Sequence, residues 1–280
     1  MTVRLALPNK GRLEQPAIDL LRQSGMSFET ADRTLAVPVR NMPVELLFVR
    51  ADDIPELVAD GVAELGITGR DLVEEVGLQV EVLTALGFGR CRLTAAVPER
   101  SPVTNLEAFT GARVATSHPR TAQRFFDDKG IAITPVPLHG SVEVAPKLDV
   151  ADAIVDLVSS GSTMMINGLR PVVTVLESEA LLIGSGDRSS VAGSIATMAQ
   201  AVVAARRKRY MLMNAPADRV AEIERIIPGI EAPSVVPLAH NGMVAVHSVV
   251  DADDVWQVLP ELEGIGASGI LVLPIQQMIP

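Results

Sequence analysis

The sequence predicts an α/β protein built as two similar lobes and a small C-terminal βαββαβ domain. Three observations carry this. Through about residue 170, short apolar runs alternate with amphipathic helical stretches, a rhythm that argues for a mostly parallel sheet covered by helices on both faces. The run from Pro171 to Ile183 is long and β-rich, as a segment passing between lobes would be. From Tyr210 onward the order becomes strand, helix, strand, strand, helix, strand over about 70 residues, the split βαβ arrangement. The expected parts are a first lobe over 1–92 with a return segment over about 181–209, a second lobe over 93–180, and a C-terminal domain over 210–280.

In the first lobe, Val3–Leu7 reads as a strand and Leu13–Ser24 as a helix, with Gly25 as its left-handed cap. The turn between them, Pro8-Asn9-Lys10-Gly11-Arg12, carries two cations. Val44–Val49 is the second buried strand, with Arg50 at its end. Asp52 or Asp53 is placed to cap a helix whose apolar face is Ile54, Leu57 and Val58. Leu65–Thr68 is the third strand, and Gly69-Arg70-Asp71 turns it into a helix that stops at Gly77.

The second lobe repeats the pattern. Leu93–Val97 is a strand, Ser101–Gly111 holds a short helix, Arg113–Thr116 is a strand and Pro119–Lys129 a helix. Ile131–Val136 reads as a strand, and Ser141 as the cap of a helix with Glu143, Val144 and Leu148. The stretch after Val62 echoes that after Val150, and the loop after Val3–Leu7 echoes Ser117–Thr121. Two similar lobes would produce both echoes, and so would chance.

The most informative stretch is Asp149–Leu169. Ala151–Val158 is a strand buried on both faces, with acids at Asp152 and Asp156. Ser159, Ser160, Gly161, Ser162 and Thr163 follow, and Met164 begins a helix that Asn167-Gly168 can end. Such a loop offers backbone N–H groups, hydroxyl donors and a helix N-terminus to an anion. Asp156 stands where a carboxylate can hold the hydroxyls of an attached sugar, so the stretch reads as a site for a phosphorylated ribose. The same residues also make an ordinary polar strand-to-helix turn. Lys10, Arg12, Arg33, Arg50 and Arg70 lie in the first lobe, mostly in loops after strands, and fit a substrate with phosphates at both ends. Each alone is an ordinary surface cation.

Val191–Arg209 reads as one helix with Arg206, Arg207, Lys208 and Arg209 in its last turn, where cations suit the helix dipole. The C-terminal domain follows as strand Met211–Asn214, helix Asp218–Ile227, strands Ser234–Leu238 and Met243–Val250, helix Asp253–Leu262 and strand Ile270–Pro274.

With 280 residues, 48% of them hydrophobic, the chain can bury ample cores. A net charge of −10 disfavours nonspecific nucleic-acid binding, and with only 3% aromatic residues there is no base-stacking stripe. No apolar run is long enough for a membrane span, and the N-terminus lacks a leader's apolar region, so neither membrane nor export is expected. The single cysteine, Cys91, fits a reducing cytoplasm and reads as a core residue. His139, His240 and His247 have no metal-ligand spacing and read as structural.

Taken together, PNKGRL at 8–13, ITGRDL at 67–72, LGFG at 86–89, GSVEVAP at 140–146 and ADAIVDLVSSGST at 151–163 resemble the ATP phosphoribosyltransferase family. Residues 210–280 resemble the regulatory domain of its long form. The resemblance implies two lobes like a type II periplasmic binding protein and an ACT-like third domain. It implies Mg²⁺-dependent attack of the adenine N1 of ATP on phosphoribosyl pyrophosphate, the first step of histidine biosynthesis. By the same resemblance Arg12 and Arg33 stabilise the departing pyrophosphate beside Lys10, Glu143 and Asp156 hold ribose hydroxyls, and Ser159–Thr163 hold the 5′-phosphate. It also implies histidine as inhibitor, bound between neighbouring copies near Asn214 and Ser234, and homo-oligomers from dimer to hexamer. There are departures. Several relatives carry an acid at the position of Ser159 and an aromatic at that of His118, which either replaces that ring against the purine or is a surface loop residue. Asn214 stands where relatives have a carboxylate, which puts the strength of inhibition in doubt. The rival readings are a non-catalytic two-lobed anion- or solute-binding sensor and a regulatory paralogue. The first would call for an export leader or a DNA-binding module, and the second for loss of the cation set.

Overall fold

The computed structural model describes residues 2–30, 34–158, 162–186, 188–239 and 242–279. The chain divides into two compact units, Met1–Arg22 with Met26–Ala196, and Gln23–Gly25 with Thr197–Pro280.

In the larger unit the apolar run β1 (Val3–Pro8) leads into α1 (Glu14–Gln23), which buries Ala17, Ile18, Leu20 and Leu21. Then come β2 (Ala36–Pro38), β3 (Val44–Val49), α2 (Ile54–Ala59), β4 (Leu65–Gly69), α3 (Arg70–Val76) and β5 (Glu81–Ala85). Asp53 is the residue before α2, but its side chain makes no capping bond. All five residues of β4 are buried. A side chain at its Gly66 would come within 2.5 Å of Ile54, so the glycine lets α2 lie directly on the strand.

The chain then forms β6 (Cys91–Pro98), β7 (Arg113–Thr116), α4 (Pro119–Asp127), β8 (Thr134–Pro137), β9 (Ala153–Val158), α5 (Ser162–Ile166) and β10 (Leu169–Ser178). It returns through β11 (Ala180–Gly184). Two of the expected helices are only 3₁₀ turns. The one within Ser101–Gly111 shrinks to Glu107–Phe109. Val142–Leu148 contains Pro146, which has no N–H to sustain an α-helix, and Ser141 before it is left-handed and caps nothing.

The two sheets are mixed rather than mostly parallel. One has the order β2-β3-β1-β4-β11-β5, the other β10-β6-β9-β7-β8. β1 runs parallel to β3 and β4, and β7 parallel to β8 and β9. β11 is antiparallel to both of its neighbours, as is β6. The reason is the crossing: each sheet takes one strand from a segment running in the opposite sense between lobes. With the short edge strand β2, antiparallel to β3, set aside, both sheets have the same order of arrival: second, first, third, visitor, fourth. β1 therefore corresponds to β7, and β4 to β9. Both sequence echoes fall on corresponding strands.

Helix α6 (Ser190–Arg206) contains the division between the units and ends three residues earlier than expected. Lys208 and Arg209 already belong to β12 (Lys208–Pro216), where Lys208 lies opposite Asp251 with its Nζ 3.0 Å from Oδ2. The alternating burial of Met211, Met213 and Ala215 selects the strand there. Next come α7 (Val220–Ile226), β13 (Ser234–Pro237), β14 (Met243–Asp251), α8 (Val255–Gly264) and β15 (Ser268–Pro274). The order β13-β14-β12-β15, antiparallel throughout, is the split βαβ sheet. Its core packs Met211, Met213, Val246 and Val250 against Ile223 and Leu262. The opposite face of β12 and β14 carries Tyr210, Leu212, Asn214 and His247.

Candidate functional site

The loops that follow β1, β4, β7 and β9 leave the carboxyl ends of the central strands of both sheets, where open α/β sheets bind ligands. Three of them converge on one buried carboxylate. The β1 loop turns at left-handed Gly11 and sends out Arg12, whose side chain is 32% exposed. Arg12 Nη2 donates to Cys91 Sγ at 3.0 Å and lies 3.5 Å from Asp71 Oδ1. Asp71 itself is 1% exposed. Ser178, at the end of β10, accepts the Asp71 N–H at 3.1 Å and returns a very short hydroxyl bond to Oδ1. From the other lobe, His118 Nε2 stands 3.4 Å from Asp71 Oδ2. It is out of line for a hydrogen bond, so Nε2 has no hydrogen-bond partner among the described residues. Its Nδ1 pairs with Ser117 Oγ at 2.9 Å.

Burial alone would raise the Asp71 carboxyl. His118, Ser178 and the charge of Arg12 outweigh it, and the net shift is downward, so Asp71 is an anion. Cys91 moves the other way: burial, only partly offset by Arg12, raises its thiol. A protonated, buried thiol bears out its reading as a core residue.

On β9, Asp156 is half-buried, and its Oδ1 accepts the Leu157 N–H at 2.8 Å. Burial foremost, and the neighbouring negative charge of Glu143, push its carboxyl upward against that bond and His118. Glu143, on the 3₁₀ turn after β8, and Asp156 are thus near enough to feel each other's charge. Asp152, the other acid of this strand's approach, is paired with Arg113 at 2.8 Å and is not part of the site.

Not every expected residue joins this cluster. Lys10 is exposed on the same loop as Arg12. Arg50 pairs with Asp52 at 2.7 Å on the surface. Arg70, half-buried at the start of α3, lines an open cleft of about 570 Å³ with Arg90, Glu177 and Glu179. Arg33, Ser159, Ser160 and Gly161 lie outside the described residues. Ser162 and Thr163 form the first turn of α5 by their backbone. That helix has only five residues, so the dipole expected to favour an anion there is small. His118 is 3% exposed and so is not a surface loop residue. Asn214 and Ser234 are both exposed in the C-terminal sheet, on β12 and β13 with β14 between them. His247 is structural as read, bonded through Nδ1 to Tyr210 Oη at 2.6 Å.

Sequence reasoning missed Asp71, Ser178 and Glu75. Asp71 is the acid of the ITGRDL motif, and its place directly after a fully buried strand was the available signal. Nothing local marks Ser178, 107 residues away from Asp71. Glu75 accepts the Arg120 and Thr121 N–H groups at 3.0 and 2.8 Å, capping α4 from the other lobe, while His118 makes no side-chain cap.

Among the described residues no three His, Cys, Asp or Glu side chains gather as a metal cage. Mg²⁺ commonly binds through one or two carboxylates plus substrate phosphates. Glu143 and Asp156 are hard oxygen donors of that kind, so the residues fit a magnesium ion carried in with a phosphorylated substrate.

A family model described as ATP phosphoribosyltransferase matches residues 50–204, and the C-terminal domain model of the same family matches residues 205–277. ATP phosphoribosyltransferases of Phocaeicola vulgatus and Methanopyrus kandleri are 43% and 42% identical to this chain over 99% of its length and 99% and 100% of theirs. Among solved structures, the ATP phosphoribosyl transferase (HisG:HisZ) complex from Thermotoga maritima has a chain 26% identical with a TM-score of 0.63. The match covers 72% of this chain and 98% of that one. The substrate binding protein of an amino acid ABC transporter, at 11% identity and TM-score 0.50, shares the fold alone. With both family models matched in tandem over residues 50–277 and relatives aligned over 99% of its length, this chain belongs to the long form of the ATP phosphoribosyltransferase family.

Proposed function

We propose that the crevice at the carboxyl ends of β1, β4, β7 and β9 is where this pentosyltransferase works. There it joins the N1 atom of ATP to the anomeric carbon of phosphoribosyl pyrophosphate as the first step of histidine biosynthesis. The supporting observation is the placement of Arg12 from one lobe, held at Asp71, near His118 and the Asp156–Glu143 pair of the other.

In this reading the N1 lone pair attacks the anomeric carbon, the bond to the diphosphate oxygen breaks with inversion, and pyrophosphate departs. Adenine N1 carries a free lone pair, so no general base is needed. Charge separates in the transition state: the ribose becomes oxocarbenium-like and the diphosphate gains electron density. Arg12, Lys10 and Arg33 receive the diphosphate by preorganised electrostatics. Glu143 and Asp156 accept hydrogen bonds from the ribose hydroxyls, and their charge favours the cationic ring. Residues 159–163 supply N–H and hydroxyl donors to the 5′-phosphate, while Arg50 and Arg70 serve the outer phosphates. Bound magnesium would neutralise diphosphate charge and assist its departure.

The C-terminal domain, expected over 210–280, serves as the histidine-sensing part, with Asn214 and Ser234 on the sheet face opposite its core. The working form is a homo-oligomer, dimer to hexamer. The cytoplasm is its compartment, because ATP and a buried reduced cysteine belong there. Among the described residues no helix is long and apolar enough to cross a membrane.

The test is an assay of ATP with phosphoribosyl pyrophosphate and Mg²⁺, followed at the absorbance of the N1-substituted adenine. Arg33→Ala is expected to lower kcat about 100-fold or more with little change in KM, as for an interaction made only in the transition state. Equal losses of binding and turnover would remove Arg33 from the leaving-group role.

A further inference from the structure

Asp71 is the only fully buried carboxylate among the described residues. Burying a charge is costly, and such a group persists where it is paired and hydrogen-bonded, often with no net gain in stability over an apolar core. Its partners come from three separate segments: Arg12 from the β1 loop, Ser178 from the end of β10 and His118 from the second lobe. Ser178 lies directly opposite Cys91 where β10 pairs with β6, and Cys91 Sγ is the second acceptor for the same Arg12 nitrogen. The backbone is shaped for the arrangement as well. A side chain at Gly69 would collide with Asp71 Oδ1, so only glycine leaves the carboxylate room to fold back.

Arg12 is therefore held through Nη2 alone. Its Nε and Nη1 donors have no partner among the described residues, and the side chain remains 32% exposed. A planar guanidinium fixed at one nitrogen keeps its remaining N–H groups aimed at one place, the geometry that matches phosphate oxygens bidentately.

We propose that Asp71 is a positioning residue: with Ser178 and Cys91 it sets the guanidinium plane of Arg12, so that the free donors of Arg12 meet the departing diphosphate. The assignment rests on the reading of Arg12 as a diphosphate-receiving cation. Asp71 touches no reacting atom. It acts through Arg12, and its loss should cost turnover only while Arg12 is present.

The test is a double-mutant cycle on the full-length enzyme, with Asp71→Asn, Arg12→Ala and the double variant assayed with ATP, phosphoribosyl pyrophosphate and Mg²⁺. Asp71→Asn should lower kcat about 10- to 100-fold, the scale of a roughly 1 Å misplacement, with KM for ATP little changed. In the Arg12→Ala background the same change should matter by less than about twofold. Losses that multiply, or no loss from Asp71→Asn alone, overturn the positioning role. Arg12→Ala with normal kcat overturns the diphosphate reading itself, a different result. If Asp71→Asn does not fold, Ser178→Ala removes only the hydroxyl that orients the carboxylate. It should cost kcat about three- to tenfold beside Arg12 and nothing in the Arg12→Ala enzyme. The same cost in both backgrounds again sinks the proposal.

Discussion

Asp71 and Asp156 both lie near His118, yet their carboxyls are pushed in opposite directions by their surroundings. Asp71 has strong donors around it and is held below the usual carboxylate range. It stabilises the fold fully above that range, and the contribution is lost as pH falls through the ordinary value toward the lowered one. Asp156, buried beside Glu143, is raised. Near and below the ordinary value it carries no penalty; as pH rises from there to its raised value, the unfolded chain ionises first and stability falls. Asp156→Asn is thus expected to melt higher than the native protein at pH 8, with the advantage gone near pH 4. The same change should raise KM for phosphoribosyl pyrophosphate about ten- to hundredfold, since a hydrogen bond to a charged acceptor contributes roughly 1.5–3 kcal/mol. Melting curves at the two pH values, with steady-state kinetics, check both. A lower melting point at pH 8 would contradict the burial argument. Asp156 was legible from its strand and loop. Asp71 was not, because its neighbours Arg12, His118 and Ser178 are gathered only by folding.

Helix α4 shows what element-level sequence rules miss. Pro119 at its first position and Gly130 beyond its end were plain signals, but its N-terminal amides are satisfied by Glu75 of α3 rather than by a local cap. Beside it Arg124 meets Glu74 at 2.6 Å, and Arg120 Nη1 donates to the Val76 carbonyl at 2.9 Å. Glu75→Ala leaves two helix N–H groups without their acceptor and should cost about 0.5–2 kcal/mol, the cost of losing a cap. For a unit of this size that lowers the melting temperature by about 2–4 °C per kcal/mol. Glu74→Gln breaks only an exposed pair and should change it little. A calorimetric comparison of the two variants decides the matter, and equal effects would refute the capping role of Glu75. The same limit of local rules explains the misplaced helix end at Arg206. The run of cations looks like a helix terminus, yet Lys208 is claimed by pairing with Asp251 across the sheet.

At the scale of the molecule, the C-terminal unit has its own core, packed on one face of its sheet. If this unit senses histidine, truncation after Arg209 should abolish inhibition by histidine, and in the full chain histidine should not compete with phosphoribosyl pyrophosphate. Inhibition that survives truncation would remove the unit from regulation. In the larger unit, two sheets that share one order of strands apart from the edge strand β2 explain why the loop after β1 resembles that after β7, and why β4 resembles β9. Equivalent strands face equivalent loops, so the faint repetition in the chain is an architectural one.

By itself the sequence determined the α/β class, the βαββαβ end and most strand positions. Each of these follows from periodicity and turn chemistry within about 20 residues. Only the tertiary structure decided that both sheets are mixed, that Arg12 leans on Asp71 and that α4 is capped from across the lobes. The Arg12 and α4 contacts join residues 45 to 59 positions apart and β11 meets β4 at 111 to 119, and a pattern read along the chain has no measure of what meets across it.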